Sequence, residues 1–460
     1  MSSTVVSNNG STQPKGSDHS LVNNSPHNAS MTNVEENVDS AKLEPCKNVA
    51  PKSPFEDRFT NLASAANGAR VFFATDDWFA AAENLLQDGP PIFDVDAYCE
   101  QGKVLDGWET RRRRQAGHDW CLIQLSSRAQ IEALELDTAH FTGNNTPKVS
   151  LEIIDLNAAE LSNLVGKLPL AYERLLHGGV QGTGRLPGEV QQALDAVTAY
   201  GEQWRALLPV TPLNPGYEPT RMHYFQLNEP IIGNIVRLNY FPDGGVARLR
   251  CWGKSLGEVK PPTLPLYMPM KTCDQCTVVA HSTTDQPPSC LPYDFPELSS
   301  ADEGGEGRSC SNKHYGEPWH LIQKHLGINM GDGWETARHP NRPSILVLKE
   351  GSTLLDIPLS DWAVLKLGKE ASNGVARVII DTKHFRGNFP ESAMLEGCYD
   401  PEESNKAEWF TLIPRTRMSP DAEHVFERSK NQMENADKII THVRVSIYPD
   451  GGISRVRIYG

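Results

Sequence analysis

The sequence has no run of about 20 apolar residues, which is the length that a membrane-spanning helix needs. It also has no Gly-rich phosphate-binding loop and no repeated strand–helix–strand pattern, so nucleotide chemistry is not expected. The nine cysteines are scattered over 460 residues, which is typical of free thiols and not of a disulfide framework. The N-terminus lacks the apolar core of a secretory signal. We therefore expect a cytoplasmic protein with no membrane contact.

Positive charge is also in short supply. The chain has 44 Lys and Arg against 58 Asp and Glu, a formal net charge of −14. Such an acidic excess offers no overall attraction to nucleic acid or to an anionic membrane surface. We expect a small-molecule substrate, no nucleic-acid partner, and a homo-oligomeric assembly.

The most informative feature is an internal repeat. Five blocks of sequence, most of them polar and centred on Trp, His or Asp-Gly, recur in the same order. They are Asp-Gly-Trp-Glu-Thr at 106–110 and 332–336, Asp-Trp at 119–120 and 361–362, Asp-Thr-x-His-Phe-x-Gly-Asn at 137–144 and 381–388, Trp at 204 and 409, and Phe/Tyr-Pro-Asp-Gly-Gly at 241–245 and 448–452. Five ordered matches indicate two homologous domains, which we place at 55–254 and 311–460.

The remaining segments differ in composition from these two domains. Residues 1–54 contain no aromatic side chain and are dominated by Ser, Asn, Thr and Pro, so they are predicted to be disordered. Residues 255–310, rich in Pro, Ser, Gly and Cys, are predicted to be a linker. The first copy carries about 39 extra residues near 157–203, where apolar residues at helix-like spacings predict a helical insertion.

Within each copy the apolar runs are short, β-branched and often alternating. Val443, Val445 and Ile447, for example, fall on one face of a predicted strand. Many short strands without crossover helices predict an all-β fold, with two tandem antiparallel sandwiches of the jelly-roll, galactose-binding-like type. The Pro-Asp-Gly-Gly segment after such a strand predicts a hairpin turn.

Two of the repeated blocks carry ionisable side chains. Asp137 and His140, like Asp381 and His384, follow a strand directly, where a carboxylate and an imidazole could act as base and acid. A turn shaped by Asp and Gly is the alternative interpretation. Glu109 and Glu335 follow a Trp that is expected to be buried, and desolvation there would raise the pKa of the carboxylate.

Arg111 to Arg114 form a basic run in an acidic protein, next to Glu109. Such a run is usually a solvated face, but a guanidinium fork for a small carboxylate is the sharper alternative. The second copy keeps only Arg338, followed by His339 and Arg342.

The doubled blocks resemble those of the allantoicase family, the allantoate amidinohydrolases of purine breakdown. This resemblance implies paired jelly-roll domains and a hydrolase that cleaves allantoate to ureidoglycolate and urea when allantoin is used as a nitrogen source. It covers both copies but not the tail, the insertion or the linker.

Allantoate is a small carboxylate whose central carbon bears two ureido groups, and its cleavage needs a base for water and an acid for the departing urea nitrogen. We predict Glu109 or Glu335 as the base and His140 or His384 as the acid, with Asp137 and Asp381 beside them. The predicted substrate-binding residues are Arg112, Arg113, Asn144, Lys383, Arg386 and Asn388. No cofactor is expected, although a divalent metal remains an open alternative, and Cys273, Cys276, Cys290, Cys310 and His281 match no compact zinc pattern well.

A non-catalytic sandwich that binds a small ligand or carbohydrate is the rival interpretation. It would favour exposed aromatic platforms, whereas the repeated loop residues here are Asp, His, Glu and Asn.

Overall fold

The computed structural model describes residues 47, 49, 51–99, 101–169, 183–257, 295–404 and 408–460. Nearly all of the tail predicted to be disordered lies outside the described residues, as do 170–182 of the insertion and 258–294 of the linker with three of its cysteines. Among the helices described, none is both long and apolar enough to cross a membrane.

The first repeat consists of thirteen described strands and two α-helices. The strands are β1 Thr60–Asn61, β2 Arg70–Ala74, β3 Asp76–Asp77, β4 Tyr98–Cys99, β5 Gly102–Lys103, β6 Trp108–Glu109, β7 Asp119–Asp137, β8 Lys148–Ile154, β9 Thr183–Gly184, β10 Arg205–Pro212, β11 Met222–Tyr240, β12 Gly245–Val246 and β13 Arg248–Ser255. The helices are α1 Ala158–Lys167 and α2 Pro187–Thr198. Short 3₁₀ turns cover Ala82–Leu86 and Gly201–Gln203.

Two 19-residue strands, β7 and β11, dominate this repeat, and each changes its neighbours along its length. Residues 119–124 of β7 pair with β2 and the end of β11, whereas residues 129–137 pair with β13 and the start of β11. A register shift in β11 between Gly233 and Ile235 separates the two halves, and a second shift between Gln226 and Ile231 interrupts the first half. The sheet order is β1-β13-β7-β11-β8-β10, with β2 on β7.

The second repeat consists of ten described strands. They are β14 Glu306–Cys310, β15 Trp334–Glu335, β16 Asp361–Lys366, β17 Arg377–Asp381, β18 Ser392–Cys398, β19 Phe410–Arg417, β20 Glu423–Glu427, β21 His442–Tyr448, β22 Gly452–Ile453 and β23 Arg455–Tyr459. Short 3₁₀ turns cover Ala301–Glu303, Pro318–Ile322, Met330–Asp332 and Arg428–Lys430.

Eight of these strands form a five-stranded sheet, β14-β16-β21-β18-β19, and a three-stranded sheet, β20-β17-β23, and β15 pairs with β22. All of these pairs are antiparallel. Val443 and Val445 of the larger sheet and Val378 and Ile458 of the smaller one are fully buried in one core cluster. Alternating apolar residues therefore face each other between two sheets. The predicted all-β fold of two antiparallel sandwiches is confirmed.

Both described helices lie in the stretch that was predicted to be an insertion, and they cover the outer face of the first repeat's sheet. Asn157 caps α1, since its side chain accepts from the backbone N–H groups of Ala159 and Glu160. Leu164 of α1 and Val197 of α2 are fully buried with Trp120 of the sheet. The apolar stripe of each helix thus packs against the sheet.

The predicted hairpin at Pro-Asp-Gly-Gly is wrong. β21 and β23, which flank this segment, belong to different sheets, and in the first repeat β11 and β13 both pair with β7 and not with each other. The second Gly serves close packing: a Cβ on Gly245 or Gly452 would lie 2.2 or 2.0 Å from the ring of Phe141 or Phe385. The segment therefore carries the chain between two layers while the His-Phe-x-Gly-Asn loop packs on it.

Part of the segment that was predicted to be a linker contributes to the second sandwich. Leu298 lies in the core cluster, and β14 pairs with β16.

Candidate active site

The Trp of each Asp-Gly-Trp-Glu-Thr block anchors the glutamate beside it. Trp108 is completely buried, and its indole Nε1 donates to the backbone oxygen of Asp76 at 2.8 Å. Trp334 does the same to the backbone oxygen of Asn312 at 3.0 Å. Because the Trp-Glu pair is a two-residue strand in both copies, the glutamate side chain points away from the Trp anchor.

The aspartate of the same block is held by an arginine from the last strand of its repeat. Arg248 contacts Asp106 at 2.7 Å, and Arg455 contacts Asp332 at 2.8 Å. Each guanidinium group also donates to the backbone oxygen of the same aspartate. The loop before each glutamate is thereby fixed to the sandwich.

Each glutamate contacts an asparagine from its own repeat and an arginine from the other. Oε1 of Glu109 accepts from Nδ2 of Asn144 at 2.9 Å and from Nη2 of Arg338 at 3.0 Å. Oε1 of Glu335 accepts from Nδ2 of Asn388 at 2.9 Å and from Nη2 of Arg112 at 2.6 Å. Two equivalent sites, which we call the Glu109 site and the Glu335 site, therefore lie at the boundary between the repeats.

Backbone hydrogen bonds also join the arginine of each repeat to the site of the other. The N–H of Arg112 donates to the carbonyl of Gly387, and the N–H of Arg338 donates to the carbonyl of Gly143, both at 2.9 Å. Each glycine directly precedes the asparagine of its site. The arginine of one repeat is thus bonded to the Gly-Asn turn of the other through its backbone, while its side chain contacts the glutamate.

One oxygen of each glutamate is left available. Within the described residues, Oε2 of Glu109 and Oε2 of Glu335 accept no hydrogen bond, although the residues are only 5% and 9% exposed. The side-chain oxygen Oδ1 of Asn388 and Nε of Arg338 are buried and likewise have no partner in the described part of the chain. A buried polar atom without a partner is costly unless a ligand or water satisfies it.

The electrostatic surroundings of Glu109 suit a proton acceptor. Burial raises the pKa of its carboxyl group, while the charge of Arg338 and the hydrogen bond from Asn144 oppose this rise. A raised pKa moves a carboxylate toward the range in which it accepts a proton efficiently at neutral pH.

The two glutamates belong to a network of eight buried charges, four positive and four negative. It consists of Arg112, Arg114, Arg338, Arg342, Glu109, Glu335, Asp243 and Asp450. Burial alone would raise the pKa of Asp450, but Arg112, Arg114 and Arg342 hold it far below the ordinary value. The network joins the repeats through fully desolvated ion pairs.

The importance of Asp243 and Asp450 was missed at the level of sequence, where Pro-Asp-Gly-Gly was interpreted as a hairpin turn. Both aspartates are completely buried. Asp243 contacts Arg338 and Arg342 of the other repeat, and Asp450 contacts Arg112 and Arg114. Their retention in both copies was the available signal.

The predicted histidines lie on the loop that carries the asparagines. His140 and His384 have left-handed backbones, with φ of 70° and 71°. Nε2 of His140 lies 3.4 Å from the carbonyl of Pro91, and Nε2 of His384 lies 2.7 Å from that of Gly327. Neither glutamate shares a hydrogen bond with a histidine side chain in the described part of the chain, so the acid role of these histidines stays a prediction.

Asp137 and Asp381 shape the turns that these loops begin with. Each accepts at 2.8 Å from the backbone N–H two residues later, in Ala139 and Lys383. Asp137 also receives two hydrogen bonds from Arg221, at 3.0 and 2.7 Å. Burial raises the pKa of Asp381 to about 6.

Three of the other predicted binding residues form no hydrogen bond with a site glutamate in the part of the chain that the structure describes. Arg113 bonds within its own repeat, to Asp119 and to the carbonyl of Ala116. Arg386 is exposed and contacts Asp421 at 3.2 Å, and Lys383 is half-buried. Of the predicted arginines, Arg112 is the one that contacts a site glutamate.

In the described part of the chain, His, Cys, Asp and Glu side chains do not gather in threes in a way that could hold a metal ion.

Comparison with known proteins matches the same two units. The allantoicase repeat family matches residues 60–256 and 296–460. A protein of Rhizobium meliloti named probable allantoicase is 34% identical over 409 residues, which cover 87% of this chain and 93% of the relative. A protein of Acinetobacter baumannii with the same name is 33% identical over 408 residues, with the same coverage.

A solved structure of allantoicase from Saccharomyces cerevisiae is also similar, at 26% sequence identity. The match covers 88% of this chain and 93% of that one, with a TM-score of 0.30.

Proposed function

Since this chain belongs to the allantoicase family, we propose that its hydrolysis of allantoate to ureidoglycolate and urea takes place at the boundary between the repeats, where Glu109 and Glu335 lie. The observation that carries this proposal is the shared geometry of the two glutamates. In each, one oxygen is held by an arginine and an asparagine, and the other oxygen accepts no hydrogen bond from the described residues.

In the proposed reaction the glutamate is the base. Its Oε2 takes a proton from water, and the water oxygen forms a bond to the central carbon of allantoate. The bond from that carbon to one ureido nitrogen breaks, and the nitrogen keeps the electron pair and takes a proton from an acid. The products are ureidoglycolate and neutral urea, and exchange with solvent restores both protein groups.

The asparagines would orient the substrate. One N–H of the Asn144 amide and one of the Asn388 amide donate to a glutamate, and the side-chain oxygen of each can accept from a ureido N–H group. The buried and unpartnered Oδ1 of Asn388 supports this role. Arg112, which contacts Glu335, is the best placed of the predicted carboxylate-binding residues, and Arg113, Lys383 and Arg386 stay predictions.

For the acid, His140 and His384 stay the candidates that the sequence predicts.

The cytoplasmic location and the homo-oligomeric state also stay predictions. Light scattering on the purified protein would test the oligomeric state.

The proposal is tested by Glu109→Gln and Glu335→Gln, singly and together, with urea release from allantoate as the assay. Glutamine keeps the oxygen that Asn and Arg contact but cannot take up a proton. We expect the double variant to lose about 10²- to 10⁴-fold in kcat/KM, the usual contribution of a general base.

Matched controls exist in both repeats. Glu152 and Glu396 are equivalent carboxylates on β8 and β18, paired with Arg237 and Arg444 away from the two sites. Glu152→Gln and Glu396→Gln should leave kcat/KM within a few-fold of the parent. A folded double variant of Glu109 and Glu335 with parental activity would rule out the proposed site.

A further inference from the structure

A third imidazole reaches the boundary between the repeats, and the repeated blocks do not include it. His314 lies four residues after β14, and its backbone N–H donates to the carbonyl of Glu335 at 2.9 Å. Its ring packs against Gly143 of the first repeat, where an added Cβ would lie 2.5 Å from Cε1 of the imidazole. Gly143 precedes Asn144, so His314 lies between the Glu335 and Glu109 sites.

The ring nitrogens of His314 are available. The imidazole is half-buried, and no side chain or backbone group in the described residues forms a hydrogen bond with it. Its ring neighbour is Tyr315, edge-on at 4.5 Å. His140 and His384 differ in this respect, because Nε2 of each ring is bonded to a loop carbonyl.

In the first repeat, Trp78 and Phe79 lie where His314 lies in the second. Asp76 and Asn312 are equivalent, because each accepts from the buried indole of its repeat. Ala80 and Tyr315 are equivalent too, because each pairs through its backbone with the glutamate of its repeat. Phe79 and Trp78 pack against Gly387 as His314 packs against Gly143. Neither a phenyl ring nor an indole can exchange a proton at neutral pH, so the two sites are not chemically equal.

We propose that His314 is the acid that protonates the departing urea nitrogen, and that the chain therefore has one fully equipped site and not two. This inference rests on the proposed function and replaces His140 and His384 in that role. The proton passes from the imidazolium to the ureido nitrogen as the carbon–nitrogen bond breaks, and solvent then reprotonates the neutral imidazole.

Without substrate, the surroundings of His314 favour the neutral imidazole. Burial lowers the pKa of its imidazole, the charge of Glu335 raises it, and the charges of Arg112 and Arg338 lower it. Allantoate carries a negative charge, and a bound anion close to the ring would favour the imidazolium form.

The experiment compares His314→Gln and His314→Ala with the parent in the urea-release assay. Glutamine preserves much of the size and polarity of histidine, which protects against a failure to fold. We expect both variants to lose about 10²-fold or more in kcat/KM, and added imidazole to restore part of the activity of His314→Ala. Lys313→Ala, an exposed neighbour paired with Glu317, is the control and should retain parental activity.

Three results would overturn the inference. A loss of only about twofold in His314→Gln would mean that a second site carries equal turnover. Equal partial losses in Glu109→Gln and Glu335→Gln would mean the same. A large loss in His140→Asn or His384→Asn together with parental activity in His314→Gln would assign the acid elsewhere and leave the proposed function intact, whereas full activity in the double glutamate variant would remove the proposed function itself.

Discussion

Nη2 of Arg338 lies 3.0 Å from Oε1 of Glu109, although the two residues belong to different repeats. The same contact, with the repeats exchanged, joins Arg112 to Glu335 at 2.6 Å. Duplication therefore produced two domains that complete each other's sites. Neither glutamate would have its arginine if the repeats were separated.

Replacing Arg338 by Met should destabilise the protein strongly. The substitution leaves the buried carboxylate of Glu109 without its cation and removes one of the two arginines that contact Asp243. Breaking a buried ion pair in this way costs about 3–5 kcal/mol in the free energy of unfolding. Unfolding in guanidinium chloride measures the effect.

The matched control is Arg128→Met, because Arg128 pairs at 2.7 Å with Asp155 on the surface, where the two side chains are 47% and 29% exposed. Its loss should destabilise the protein far less, because an ion pair on the surface is screened by solvent. Equal losses of unfolding free energy in the two variants would show that the network between the repeats stabilises the protein no more than a surface ion pair does.

Replacing Asp381 by Asn should change how stability depends on pH. Burial raises the pKa of Asp381 to about 6, above its ordinary value of 3.8, so the folded protein binds this proton more tightly than the unfolded chain. The contribution of Asp381 to stability is therefore present below pH 4 and is lost as the pH rises toward 6. Asparagine can still accept from the backbone N–H of Lys383.

We expect the difference in unfolding free energy between Asp381→Asn and the parent to shift in favour of the variant between pH 4 and pH 7. Asp302→Asn, which removes an exposed carboxylate, is the control. A difference that does not change with pH would argue against a buried, proton-binding carboxyl group at 381.

Replacing Gly143 by Ala should lower activity more than replacing Gly387 by Ala. The new Cβ at 143 would meet the ring of His314 at 2.5 Å, whereas that at 387 would meet Phe79, Arg111 and Trp78 at 2.7–2.9 Å. Displacing a reacting group by about 1 Å can cost about 10²-fold in rate. Kinetics with allantoate measures both variants, and a greater loss at 387 would favour the Glu335 side as the working one.

Replacing Leu164 by Ala should loosen the helical insertion. Leu164 is completely buried between α1 and the sheet, so the substitution should cost about 2–5 kcal/mol in unfolding free energy. Leu186→Ala removes a side chain of the same size that is 69% exposed, and it should change stability by less than about 0.5 kcal/mol. Similar effects at both positions would contradict the packing of α1 on the first repeat.

Part of this structure can be predicted from the sequence. The alternation at Val443, Val445 and Ile447 predicts a strand with one buried face, and all three side chains are buried. The Trp-Glu and Gly-Asn pairs recur in both copies, and in both the asparagine bonds the glutamate. Such features are predictable because a local pattern of side chains fixes the local backbone, and because duplication marks the residues that both copies need.

Other features follow only from how distant parts of the chain pack. Pro-Asp-Gly-Gly is typical of a hairpin turn, but it forms no hairpin, and its aspartates are buried against arginines of the opposite repeat. His314 has no repeated counterpart, since Trp78 and Phe79 take its place in the first repeat, so no pattern in the sequence pointed to it.

The chain by itself determined that one β-sandwich scaffold occurs twice and that each occurrence presents a glutamate and an asparagine. Tertiary structure alone decided which arginine faces which glutamate, because those pairs join residues more than 200 positions apart. These pairs depend on the packing of the two repeats, because that packing places the arginine of one repeat beside the glutamate of the other and removes both charges from water.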